Sequence, residues 1–321
     1  RQLAHLPNFV MQDHRCVLVL FVAVVYNASY TTASMRARRM LCGDDVNPGQ
    51  YPFFANLIVR FPHTAKPLLC GGSLITAETV LTAAHCVYDP VSEQVATYVN
   101  ITINDYFLMQ KERNELLITS SHFDVNHSYK SVKSSAHDFA LLYLPQRVKI
   151  CQPNSKFMVT PLLFDLDSFG LAVNKIMRWS NCFMLGFGVT DIGEPSPTLQ
   201  KMALTNVITI EDNRRAPLLM SRCTHTQKAC FGDSGGPILC SYNKKFFQVG
   251  VGSEIVKEGP DLPYDAPVLR VCQESNVLLI SSLQTNLAVL LDMLKRRGLA
   301  SRLMDDQRKC AEEHMMRFKM W

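Results

Sequence analysis

No glycine-rich phosphate loop, no dinucleotide fingerprint and no zinc-type cluster of cysteine and histidine occurs in the 321 residues. Without backbone amides gathered around a phosphate there is no nucleotide site, and without closely spaced soft ligands there is no structural zinc. The expectation is a protein with no cofactor and no metal. Charge of one sign is not in great excess either: 33 Lys and Arg against 28 Asp and Glu give a net charge of +5, spread along the chain. That is too diffuse for a nucleic-acid partner. Also missing is an apolar run of membrane-spanning length, since Cys16–Tyr26 stops short of it. With Arg15 before it and Ala28-Ser29 after it, this run fits a secretory signal, so the expectation is a secreted, extracellular protein without a membrane partner. No internal repeat or low-complexity tract occurs.

What is present is a chain with 47% hydrophobic residues, enough for a substantial core and about two structural units. Eleven cysteines behind a signal-like segment imply an oxidising compartment and structural disulfides. Asn100-Ile-Thr102 and Asn126-His-Ser128 fit the N-glycosylation pattern. Short alternating or apolar stretches at 53–61, 98–103, 115–119 and 139–144, broken by turn residues, have the spacing of an all-β barrel protein. Leu278, Leu283, Leu287, Leu290 and Leu294 recur at helical spacing and predict a helix over about 276–297, which Gly298 would end. The segment 298–321 is charged with little apolar face and reads as a solvated helix or disordered tail.

The chemistry-bearing tract is Cys230-Phe231-Gly232-Asp233-Ser234-Gly235-Gly236, which leaves one hydroxyl open among glycines. A serine hydroxyl is barely nucleophilic at neutral pH and needs a base, itself oriented by a third group. Candidates stand upstream: His85, after Thr82-Ala83-Ala84, and Asp138, opening the apolar run to Leu142. At these residues the chain resembles the chymotrypsin/trypsin-like serine endopeptidases (peptidase S1), whose triad has this same order. Pro48–Phe53, Cys70-Gly71-Gly72-Ser73-Leu74 and the Cys182–Gly188 segment extend the resemblance from about 40 to 253.

The resemblance implies an all-β fold: two antiparallel six-stranded β-barrels (trypsin-like) with a C-terminal α-helix. A protease domain would span 40–295, its first barrel about 40–150 and its second about 151–280, with an extra loop or short helix in the long connection 151–181. It also implies His85, Asp138 and Ser234 as catalytic residues, the Gly232 and Ser234 amides as the oxyanion hole, and disulfides Cys70–Cys86 and Cys182–Cys240. The pairing of Cys42, Cys151, Cys223, Cys230, Cys272 and Cys310 stays open, with Cys42–Cys151 one possibility. Residues 1–39 would be signal and short propeptide, and an activating protease cutting after Arg39 would free Met40 to pair with Asp233. Lys228 stands where the family closes its primary specificity pocket, with Ser253, Glu254 and Ala266 on its walls. A lysine there predicts rejection of basic side chains and preference for an acidic or polar one, unless it snorkels to water or pairs with Glu254. Partners would be protein or peptide substrates, the activating protease and protein inhibitors. The rival reading is an inactive homologue that binds partners through the same cleft.

Overall fold

Alternation decides the first sheet. In Tyr98–Ile103, Val99, Ile101 and Ile103 are fully buried while Tyr98, Asn100 and Thr102 face outward, the period of a strand with one wet face. The computed structural model describes residues 43–162, 178–223, 227–242, 244–260, 262–263 and 265–317. All belong to one compact unit, Ala37–Trp321.

After the short β1 (Asp44–Asp45) come β2 (Phe54–Arg60), β3 (Leu68–Thr76), β4 (Thr79–Thr82), a small hairpin β5 (Tyr88–Asp89) and β6 (Gln94–Val95), then β7 (Tyr98–Ile103), β8 (Leu116–Ser120), β9 (Phe123–Val125), helix α1 (His127–Val132) and β10 (Ala140–Tyr143). Seven of these strands form an antiparallel sheet in the order β8-β7-β2-β3-β4-β10-β9, an open half-barrel among the described residues. The second sheet contains β11 (Arg178–Gly186), β12 (Gln200–Glu211), β13 (Pro217–Arg222), β14 (Pro237–Tyr242), β15 (Lys245–Val256) and β16 (Val277–Ser282). These run β12-β11-β14-β15-β16-β13, and a β12–β13 pairing closes them into a six-stranded barrel, with β1 added on the edge of β12. The expected all-β fold with a C-terminal helix is found, but among the described residues only the second sheet closes into a six-stranded barrel, and the first is a seven-stranded half-barrel in place of the expected second six-stranded barrel.

Two boundaries differ from the sequence expectation. The helix expected over 276–297 is split: Val277–Ser282 is β16, and the helix α3 spans Leu283–Arg296. Leu278 and Ile280 are buried because β16 lies between β15 and β13, and an apolar run of that length suits a strand covered on both sides as well as a helix. The segment expected to be a solvated helix or a disordered tail is a helix, α4 (Ala300–Arg317), following the short α2 (Val268–Glu274) and α3, but a docked one and not a solvated one. Leu303, Asp306, Gln307 and Cys310 are buried, Gln307 bridges the Ile75 and Thr160 carbonyls (3.1 and 2.9 Å), and Cys310 is disulfide-bonded to Cys151. The tail was misread because half of its buried face is polar. The extra element expected in 151–181 falls largely on residues outside those described, as do the signal and propeptide expected over 1–39.

Candidate active site

His85 lies in a single 3-10 turn, Ala84–Cys86, directly after β4. The turn is pinned by the Cys70–Cys86 disulfide, and Thr82 Oγ1 donates to the Gly71 carbonyl at 2.7 Å. Asp138 ends a second 3-10 turn, Ser135–His137, just before β10. That turn is held from α3: Asn286 Nδ2 donates to the Ala136 carbonyl at 2.7 Å and to the Ser282 carbonyl at 2.8 Å. The two turns meet. His85 donates its backbone N–H to Asp138 Oδ1 at 3.0 Å, and its Nδ1 lies 2.7 Å from Asp138 Oδ2. A third group joins them, for Ser253 Oγ of β15 donates to Asp138 Oδ2 at 2.5 Å. Ser253 was read from sequence only as a pocket wall; its role toward Asp138 is a contact across 115 positions that no local motif announces.

Ser234 is half-buried, and its carbonyl accepts from Gly71 N–H at 2.8 Å, tying its loop to β3. Gly235 has φ +80°, and a Cβ there would strike Thr82 Oγ1 and the Gly71 carbonyl, so only glycine lets the serine loop approach the histidine strand so closely. Gly232, at φ +100°, likewise needs left-handed freedom. The amides of Asp233, Gly235 and Gly236 all donate within the protein, to Cys230, Gly252 and Asp233 carbonyls. Among the described residues, those of Gly232 and Ser234 have no such acceptor. Both are open donors on the loop, as is the Phe231 amide among the described residues. His85 and Ser234 both line one cavity of about 530 Å³, within the usual size of a ligand site. Among the described residues no hydrogen bond joins Ser234 Oγ to His85, whose Nε2 lies 4.0 Å from Cys86 Sγ.

Burial alone would push the His85 imidazole down, but the charge of Asp138, its hydrogen bond and the charge of Glu254 together hold it above its ordinary value. Burial also opposes the charge on Asp138, and His85, then Ser253, overcome it and keep the carboxyl below the usual carboxylate range. The pair is thus set for a charged acid beside a titratable base. Asp233 is different. Its carboxyl is buried, accepts from Gly188 N–H at 2.8 Å and Cys230 N–H at 2.9 Å, and is pushed up to about 7 by burial despite them. No cation pairs with it among the described residues; Arg39 and Met40 lie outside them.

The predicted pocket residues separate. Ser253 and Glu254 line the cavity, whereas Lys228 and Ala266 do not. The Lys228 ammonium donates to the Gln273 carbonyl, away from Glu254, so neither an ammonium at the cavity base nor a Lys228–Glu254 pair is formed. A backbone carbonyl within reach costs less than a bare ammonium in an apolar recess. Ala229, Ile255, Val271 and Leu278 give the cavity an apolar part of its lining, beside the buried carboxyls of Asp138 and Asp233.

Cys182–Cys240 forms beside Cys70–Cys86, and Cys230 is joined to Cys272. Cys151 bonds Cys310, so the Cys42–Cys151 possibility is not realised. Among the described residues Cys223 is a free thiol, and Cys42 lies outside them. The glycosylation reading of Asn126 needs correction: its side chain is buried, caps α1 by accepting from Ser128 N–H, and donates to the His137 carbonyl at 2.9 Å. That nitrogen is not open to a glycan. Asn100 is half-buried on β7, its carbonyl oxygen accepting from Thr119 Oγ1.

A second polar cluster escaped the sequence reading. Asp105, Glu112 and Glu115, around the turn between β7 and β8, bring carboxylate oxygens within 4.8 Å of one another. Asp105 Oδ1 and Glu115 Oε2 are buried without a partner, and burial pushes Asp105 up to about 7. Three converging carboxylates are the donor set of a hard, oxygen-preferring cation such as Ca²⁺. Their irregular spacing gave no signal.

Residues 40–268 match the family model described as Trypsin. Among curated proteins, serine protease 28 of Mus musculus is 26% identical over 261 residues, covering 75% of this chain and 89% of that protein. Among solved structures, an HL collagenase superposes with a TM-score of 0.59 at 20% identity, over 80% of this chain and 98% of the other.

Proposed function

Because the chain belongs to the trypsin family, whose members are serine endopeptidases that hydrolyse peptide bonds, we propose that His85, Asp138 and Ser234 are its catalytic triad. Ser234 Oγ attacks the scissile carbonyl while His85 Nε2 takes its proton and later delivers it to the leaving amine. Asp138, held by Ser253, fixes the imidazole tautomer and stabilises the imidazolium. The Gly232 and Ser234 amides receive the oxyanion, a role for which their lack of internal acceptors leaves them free. The observation that carries this reading is the Ser253–Asp138–His85 chain of hydrogen bonds ending on the cavity that Ser234 lines.

The protein is secreted as a precursor, in keeping with its disulfides and the signal-like segment. No helix among the described residues is long and apolar enough to cross a membrane. An activating protease cuts after Arg39, and the freed Met40 ammonium supplies the cation that the buried Asp233 carboxyl lacks. The specificity pocket is non-standard, lined partly by Ala229, Ile255, Val271 and Leu278 and without Lys228, and protein inhibitors would enter by the same cleft as protein substrates. Incubating the cleaved protein with a denatured protein and sequencing the new amino termini tests this. Internal cleavage is expected, and Ser234→Ala should abolish it; cleavage that persists in that variant would refute the triad. The missing Ser234–His85 hydrogen bond favours a second reading, a non-catalytic homologue that binds partners in this cleft. In apo proteases that bond is often long, which keeps it second.

A further inference from the structure

One charge in the cavity has no part in the catalytic reading beyond its field on the imidazole. Glu254 follows Ser253 on β15, is exposed, and lines the cavity on the side of the imidazole. Its Oε2 accepts from Ser135 Oγ at 3.0 Å. Every neighbouring charge already has a partner: Lys133 pairs with Glu93 at 3.2 Å, Lys257 with Glu274 at 2.8 Å, His85 with Asp138, and Lys228 with the Gln273 carbonyl. No lysine or arginine among the described residues pairs with Glu254.

The backbone beside it is also available. β14 pairs with β15 only as far as Val251, and Gly252 spends its amide and carbonyl on the serine loop, while β16 takes the opposite edge of Glu254, Ile255 and Val256. An extended peptide laid on the open edge would pass the Glu254 carboxylate on its way to Ser234. Resting on the catalytic-cleft reading above, we propose that Glu254 is a specificity-determining residue that selects peptides carrying a lysine or arginine side chain near the reacting bond. A charge-assisted hydrogen bond in a half-enclosed cleft discriminates more strongly than the same pair in open water. The aliphatic stem of such a side chain would lie on the apolar wall of Ile255 and Val271. Basic residues are therefore recognised from the wall of the cleft, reversing the acidic preference that Lys228 suggested.

The test uses the full chain with Ser234→Ala, so that binding is read without turnover, and acetylated octapeptides of alanine and serine. One lysine, or the uncharged norleucine of equal length, is walked through each position, and affinity is measured by titration calorimetry. At one position or more the lysine peptide should bind about tenfold tighter than its norleucine twin. Adding Glu254→Gln should erase that ratio by lowering the lysine-peptide affinity to that of its norleucine twin, whereas Glu254→Asp should keep part of it. Equal affinities throughout, or a lysine preference that survives Glu254→Gln, would overturn the proposal. Loss of both peptides alike in Glu254→Gln would also overturn it, showing that Glu254 serves only to hold Ser135. Labelling of Ser234 in the parent tests the catalytic reading separately, so the two can fail independently.

Discussion

Asp138 is almost wholly excluded from water, and a carboxylate stays charged there only because three donors reach it: His85 N–H, His85 Nδ1 and Ser253 Oγ. Each removes part of the burial penalty, so each should be visible in turnover. Ser253→Ala is predicted to lower kcat about tenfold with KM little changed, since a hydrogen bond to a charged group is lost where the imidazolium forms. The pH dependence follows from His85. The neutral imidazole is the base, and Asp138 and Glu254 hold its pKa above the usual histidine value, so activity should rise with pH through a midpoint above about 6.5. The other polar groups on that side of the cleft are Tyr129, Lys133 and Ser135. Glu254→Gln should move the midpoint toward lower pH, and a kcat/KM profile in both proteins checks it. At this scale the sequence showed the three reacting residues because each sits in a short motif. It placed Ser253 and Glu254 on the pocket wall but concealed the bond from Ser253 to Asp138, which depends on which face of β15 meets a distant turn.

Helix α4 acts as a clamp on the first sheet. Asp306 accepts from Ala77 N–H at 2.7 Å and from Arg147 Nη2 at 3.0 Å, and the exposed end of the same cluster pairs Glu78 with Arg147 and Arg302. The surface pairs contribute little, while the buried Asp306 bonds and the covalent link matter. Cys310→Ser is predicted to cost about 2–4 kcal/mol, because Cys151–Cys310 closes a loop with a sequence separation of 159. Asp306→Ala should cost about 1–3 kcal/mol by leaving Ala77 N–H without an acceptor. Denaturant unfolding of the two variants measures both, and catalytic labelling should survive in each. The buried positions 303, 306, 307 and 310 do follow helical spacing. Two of them are Asp and Gln, so a search for apolar stripes passes over them. β16 failed for the opposite reason: it opens on four consecutive apolar residues, Val277–Ile280, and strand and helix periods cannot be separated over six residues.

For the molecule as a whole, the ordered arrival of several independent motifs made the two-barrel fold legible. Charges brought together by folding did not become visible until the sheets were assembled. In the uncleaved chain, before the Met40 ammonium reaches Asp233, burial pushes the carboxyls of Asp105 and Asp233 up to about 7 from an ordinary 3.8. A raised carboxyl contributes stability fully below its unfolded pKa and loses it as pH climbs through the folded value, here from about 4 to about 7. Each group in that window costs about 1.4 kcal/mol per pH unit. Above pH 7 a cation held by Asp105, Glu112 and Glu115 would offset the first of them. Adding Ca²⁺ at pH 7.5 should therefore raise Tm by several degrees and chelation reverse it, with no calcium response in Asp105→Asn. Scanning calorimetry with and without chelator decides this, and a Tm indifferent to calcium would remove the cation reading.

The central claim is that His85, Asp138 and Ser234 act as one chemical unit. Reacting the processed protein with a fluorophosphonate and locating the adduct by peptide mass spectrometry addresses it most directly. A single adduct on the hydroxyl of Ser234, lost in His85→Ala, is the predicted result. A correctly folded, processed protein that takes no label, or takes it elsewhere, would contradict the account.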